Sequence, residues 1–216
     1  MRQPIKLLPY FGNMGQGGDH IARFKGLSVN CSAIGESWEL SVVPGKQSIV
    51  AEGDNAGMEL QALVDNLKGN LIGEGIYSLY GGEFPINIKL VDNENRLAVE
   101  VCHRLDNHQM PFLYCPEKHD EDSRAASHPL VSGPCFSVVR EAVEGERTIK
   151  NPQDSFMGLL CVGGEGQLKV DGVSTPVKKG ETLLLPAPVN EFDVKGVLTL
   201  LTVVSLIPDS ISMKPV

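Results

Sequence analysis

Apolar and polar positions alternate with a period of two over most of this chain, and that alternation predicts short strands. Strands are expected at Ser37–Val43, Ser48–Ala51, Ile86–Val91, Leu97–Cys102, Met110–Tyr114, Phe136–Val143 and Phe156–Val162, and again at Gly166–Val170, Thr182–Pro186, Glu191–Val194 and Leu198–Leu206. Turn signals separate them, among them Asp92-Asn93-Glu94-Asn95, Gly163-Gly164 and Asp171-Gly172. One segment carries the helical period instead. Leu60, Leu63, Val64 and Leu67 share a face, with Asp54 or Asn55 as the expected cap and Gly69 as the expected stop. A further helical turn is read around Leu71-Ile72-Gly73, so the helical insertion spans roughly 57–72. Many short strands with glycine- and proline-rich connections indicate a mainly β protein, a sandwich or a barrel.

Composition narrows the function classes. The 216 residues are 42% hydrophobic and 21% charged, which excludes a disordered or fibrous chain. A net charge of -8 argues against a nucleic-acid partner, whose binding face would be basic. The five cysteines, Cys31, Cys102, Cys115, Cys135 and Cys161, contain no C-x-x-C pair, so neither a disulfide framework nor a finger-type zinc site is expected. The apolar run from Val197 to Ile207 is too short to span a bilayer, and Met1 to Leu8 does not read as a signal peptide. The expected setting is therefore the cytoplasm, with reduced thiols and no membrane partner.

The strand pattern dissolves after Cys115, where Glu117 to Arg124 is densely charged. Residues 116–133 read as a loop or linker between a mixed part, 1–115, and an all-β part, 134–208, followed by a tail, 209–216.

The all-β part carries a readable signature. Gly164-Glu165-Gly166-Gln167-Leu168-Lys169-Val170-Asp171-Gly172 is followed by Lys179-Gly180-Glu181-Thr182-Leu183-Leu184-Leu185-Pro186-Ala187, a pattern that resembles a cupin barrel. Ile34-Gly35-Glu36-Ser37-Trp38-Glu39-Leu40-Ser41, Phe84-Pro85-Ile86-Asn87-Ile88-Lys89-Leu90-Val91-Asp92, Leu97-Ala98-Val99-Glu100-Val101 and Asp154-Ser155-Phe156-Met157 narrow it further. Together they resemble the type I mannose-6-phosphate isomerases, in particular the bacterial branch with two cupin barrels. The resemblance covers roughly 30–103 and 134–206. It implies cupin-like (double-stranded β-helix, jelly-roll) barrels with a small helical insertion, the first barrel being reduced. It also implies the family activity, zinc-dependent interconversion of mannose 6-phosphate and fructose 6-phosphate through an enediol.

The chain departs from the family where that chemistry resides. The family reads Gln-x-His-Pro after its Leu-Ser-Val strand, and that Gln and His bind zinc. This chain has Glu100 and Cys102 there, with Ala98 in place of the serine. The family's third ligand would fall near Gln109-Met110, and its late histidine and catalytic arginine have no counterpart. No catalytic residue is therefore assigned. Two readings of the ligand strand stand side by side. A rewired zinc centre would draw on Glu100, Cys102, His103 and His108. Alternatively, Glu100 is ion-paired, Cys102 is a small core residue, and no metal is held. Alternation would set His103 on the face opposite Cys102. Lys89 matches a family lysine that helps hold the substrate, so it is the candidate contact for a sugar phosphate. Arg96, Arg104, Lys118 and Arg124 read as surface charge, and Trp38 as a core anchor. Three functions follow: the family isomerase, a non-catalytic sugar-phosphate-binding or interaction protein on the same scaffold, or a cupin with a different metal centre. A reduced barrel would expose a strand edge, and a homodimer is expected from that.

Overall fold

The computed structural model describes residues 2–13, 18–28, 34–93, 96–104, 111–116, 126–151 and 154–208. Its strands form two antiparallel sheets. An eight-stranded sheet combines β1 (Ile5–Leu8), β4 (Ile49–Val50), β8 (Ser127–Ser132), β9 (Phe136–Lys150), β10 (Met157–Val170), β11 (Val173–Lys178), β12 (Thr182–Leu185) and β13 (Glu191–Ser205). Its order is β4-β1-β12-β10-β13-β9-β8, with β11 hairpinned onto β10. The second sheet has five strands in the order β2 (Tyr10–Gly12), β3 (Glu36–Leu40), β5 (Ile86–Asn93), β6 (Arg96–His103) and β7 (Phe112–Tyr114).

Alternation explains how the sheets stack. On β5, Ile86, Ile88 and Leu90 are fully buried, and Val99 and Val101 of β6 join them on the same face. This face packs on Ile5, Leu7, Leu160, Leu184, Leu201 and Val203 of the larger sheet, forming one core. Gly158 lies at the contact, and an added Cβ there would sit 3.0 Å from Leu40 and 3.1 Å from Ile88. The opposite face of the larger sheet closes over Leu159, Cys161, Leu168, Val177, Leu183, Phe192 and Val194, the interior of the C-terminal barrel.

Several expectations are corrected. β10 runs unbroken through Gly163-Gly164, and β13 joins the two segments expected at Glu191–Val194 and Leu198–Leu206. The glycines expected to end strands instead bend them. The register slips between Cys161 and Gly163, and a Cβ on Gly164 would meet the Val197 carbonyl at 1.9 Å. The linker placed at 116–133 contains β8, which pairs with β9. Nor do the sheets follow the 1–115/134–208 division, because β1 and β4 belong to the C-terminal sheet, where Ile5 and Leu7 bury their side chains. The insertion holds α2 (Leu60–Leu67) and α3 (Gly69–Ile72), and continues into α4 (Glu74–Leu79). α2 is preceded by Glu59, not Asp54 or Asn55, and it ends at Lys68, whose φ of 51° turns the chain before Gly69 opens α3. An unanticipated short helix, α1 (His20–Phe24), precedes β3. Among the described residues, no helix is long and apolar enough to cross a membrane.

One polar contact ties the two sheets together. Lys25, at the end of α1, donates to both Glu39 carboxylate oxygens, at 2.7 and 2.9 Å, and to the Gly180 carbonyl at 2.5 Å. Ser37 donates to Glu39 from the same strand, and Thr182 of β12 donates from the other sheet at 2.8 Å. The Glu39 side chain is completely buried and that of Lys25 is 8% exposed. Breaking a buried pair by removing one partner leaves an uncompensated charge, which costs about 3–5 kcal/mol. Glu39→Ala is expected to lower the unfolding free energy by about that amount in urea titrations, and to lower it more than Lys46→Ala, which removes a half-exposed ammonium.

Candidate functional site

The second face of the five-stranded sheet is polar. Cross-strand register lines up Tyr10, Trp38, Lys89, Glu100 and Leu113 in a single row across β2, β3, β5, β6 and β7. Glu36 lies two residues from Trp38 and so shares this face, as Cys102 does with Glu100. Lys46 arrives from outside the sheet. A tight turn at Pro44-Gly45, with Gly45 at φ 75°, reverses the chain after β3 and returns Lys46 over Trp38.

These side chains form a compact cluster of charges. Lys89 Nζ lies 3.0 Å from Glu100 and 3.9 Å from Glu36, while Lys46 Nζ lies 3.1 Å from Glu36. Both ammoniums lie near the Trp38 ring, 4.7 Å (Lys46) and 5.1 Å (Lys89) from its centroid. The indole Nε1–H of Trp38 donates to Glu36 at 3.0 Å. Burial alone would raise the Glu36 pKa. Hydrogen bonds from Trp38 and Lys46 and the charges of Lys46 and Lys89 outweigh it, holding the carboxyl below its ordinary value. Trp38 is thus an anchor with a polar role as well as a packing one.

The expected site residues divide by face. Lys89, Glu100 and Cys102 come together. His103, the next residue along β6, lies on the core face, buried and tilted against Tyr80 with ring centroids 4.9 Å apart. His108 lies outside the described residues. Cys102 sits opposite Asn87. Burial, reinforced by the charge of Glu100, pushes the Cys102 thiol above its ordinary pKa, although Lys89 and Asn87 pull the other way. A zinc ligand must be a thiolate, a free carboxylate or a neutral imidazole directed at one point. Here burial disfavours the thiolate, the carboxylate is engaged by an ammonium, and His103 faces away. Among the described residues, no group of three or more His, Cys, Asp and Glu gathers to hold a metal ion. The described donor set therefore does not fit zinc.

The sequence assigned no chemistry to Glu36 and did not single out Lys46. The Glu-x-Trp spacing on a strand places Glu36 beside Trp38, and Pro44-Gly45 marks the turn that carries Lys46. Both signals were present, but neither names its partner.

Comparisons with known proteins bear on the family likeness and the fold. Residues 128–205 match the family model described as mannose-6-phosphate isomerase, cupin domain. Over 88 residues the chain is 31% identical to the Bacillus subtilis (strain 168) protein YvyI, which is named among the mannose-6-phosphate isomerases. That match takes in 41% of this chain and only 28% of the relative's length. The fold resembles the crystal structure of the mannose 6-phosphate isomerase from Bacillus subtilis, with a TM-score of 0.69 and 18% identity, over 94% of this chain and 99% of that one. It equally resembles variants of phosphomannose isomerase from Salmonella typhimurium, with a TM-score of 0.69 and 12% identity over 94% and 99% of the two chains.

Two outcomes test this geometry. Because Glu36 has a lowered folded pKa, its contribution to stability is complete above the ordinary value of 4.5 and is lost as pH falls through the folded value. Glu36→Gln should therefore flatten the acid limb of a stability–pH profile and leave the slope above neutrality unchanged. The thiolate is the alkylating species, so Cys102, and Cys161, whose pKa burial pushes up to about 12, should react with iodoacetamide far more slowly in the native protein than in urea. Peptide mass spectrometry at pH 8 measures this.

Proposed function

We propose that this chain, a member of the phosphomannose isomerase family, binds a sugar phosphate at the Lys89 cluster and does not act as a zinc-dependent isomerase. The Lys89–Glu100 contact of 3.0 Å carries this reading. Glu100 stands where the family resemblance implies a zinc ligand, and its carboxylate is taken by an ammonium.

The chemistry explains why that matters. Aldose–ketose isomerisation moves a proton between adjacent carbons while charge develops on the neighbouring oxygen. A Lewis acid stabilises that oxygen and a base carries the proton, each supplying about 10²–10⁴-fold in rate. In this chain Glu100 is ion-paired with Lys89, and Glu36 is held below its ordinary pKa, which weakens it as a base for a carbon acid. What the cluster retains is binding chemistry: two ammoniums, an indole edge and a wall of strand side chains beside them. Lys89 is the contact proposed for the ligand, with Lys46 as its neighbour over the same ring.

The test pairs metal analysis with an activity assay. Protein purified without chelator should carry substoichiometric zinc and convert mannose 6-phosphate to fructose 6-phosphate no faster than buffer, with or without added zinc. Stoichiometric zinc together with turnover that disappears in Glu100→Ala would overturn the proposal.

A further inference from the structure

We infer that Glu100 is an internal anion that competes with ligand phosphate for Lys89, and so sets the ligand preference of this site. The inference rests on the reading that Lys89 is the ligand-facing cation. It concerns how strongly that cation is available, a question that the loss of zinc chemistry leaves open.

The two carboxylates of the cluster are not equivalent. Glu36 is 7% exposed and is fixed by the Trp38 indole at 3.0 Å and by Lys46 at 3.1 Å. Glu100 meets Lys89 at 3.0 Å, its side chain is 20% exposed, and its neighbour in the row is Leu113, which is 54% exposed. Glu36 is therefore a fixed counterion, while Glu100 has both solvent and an open strand edge to move toward.

Charge balance then dictates the consequence. Glu36 and Glu100 together cancel Lys46 and Lys89, so the cluster carries no net charge. A phosphate reaching Lys89 must either displace Glu100 or lie beside it, and two anions at one ammonium repel each other. A neutral polyhydroxylated ligand meets no such repulsion, because it hydrogen-bonds the pair as it stands. Replacing Glu100 with glutamine keeps the shape and removes the competitor. Among the described residues, Lys89 is then left with Glu36 at 3.9 Å as its ion-pair partner. This contrast between native and substituted protein is a property of Glu100 alone.

Trp38, the single tryptophan of the chain, lies 5.1 Å from Lys89 and reports on it directly. Its fluorescence is followed while inorganic phosphate, mannose 6-phosphate and mannose are titrated into the native protein and Glu100→Gln. Glu100→Gln should tighten phosphate and mannose 6-phosphate by about tenfold or more, equivalent to one desolvated charge contact, and leave mannose within about twofold. Adding Lys89→Gln should abolish the gain. Circular dichroism melts confirm that each variant is folded. No gain in a folded Glu100→Gln, or a gain that survives Lys89→Gln, would overturn the inference. Zinc-dependent turnover by the native chain would sink the preceding proposal, but it would not produce the Lys89-dependent gain.

Discussion

The buried Lys25–Glu39 pair is the contact on which the arrangement of the two sheets depends. A carboxylate with no solvent exposure is tolerated only when its lone pairs are filled, and Glu39 receives donors from three separate elements. Those elements are the end of α1, β3 itself and β12 of the larger sheet. Apolar packing between sheets is largely non-directional and permits sliding. A charge that must be matched at one point does not. The pair therefore fixes the register in which the smaller sheet lies on the larger one, and β12 is the strand it holds.

The same contact sets the site on the opposite face. β3 carries one extra residue between Trp38 and Leu40 relative to β5, a bulge that lets Glu39 and Leu40 both turn toward the core. Ahead of the bulge, Glu36 and Trp38 keep the other face, in register with Lys89 and Glu100. A regular strand would have kept Glu39 inward but sent Leu40 to the polar face. The bulge thus keeps Leu40 in the core, directly after an inward carboxylate and an outward carboxylate–indole pair, within five consecutive residues.

How much of this was legible depends on how local the determining interaction is. The hairpin at Asp171-Gly172 was readable, because φ of 48° and 85° at those residues is what the dipeptide favours. The strand identities of β5 and β6, and the opposition of His103 to Cys102, follow from period-two alternation alone. Gly163-Gly164 misled because the same residue type serves a turn and a bend, and only contact with Val197 on β13 decides between them. β1 was missed since four residues leave little alternation to read, and its burial depends on β12, far along the chain. β8 was missed because Pro129 and flanking exposed residues look like a loop, yet proline is accommodated on an edge strand. Lys25, Lys46 and Glu36 are ordinary charged residues until the fold brings each to a partner. The family resemblance pointed to the strand of Glu100 and Cys102, but it said nothing of the cation with which Glu100 pairs.

Glu100 makes the proposed absence of a zinc site self-consistent. A partly buried carboxylate requires a cation, and in a metal centre the ion supplies it. Glu100 lies directly across the ladder from Lys89, and the ammonium reaches it at 3.0 Å. A divalent cation entering this position would have to displace Lys89 from Glu100 while lying near two ammoniums, beside a thiol whose thiolate burial disfavours. Each of those terms opposes binding, and they act together because the residues share one sheet face. Restoring a single ligand would leave the others in force. Among the described residues the polar cluster is a satisfied network of ion pairs, and on the proposed reading its chemistry is set by how readily Lys89 exchanges one anion for another.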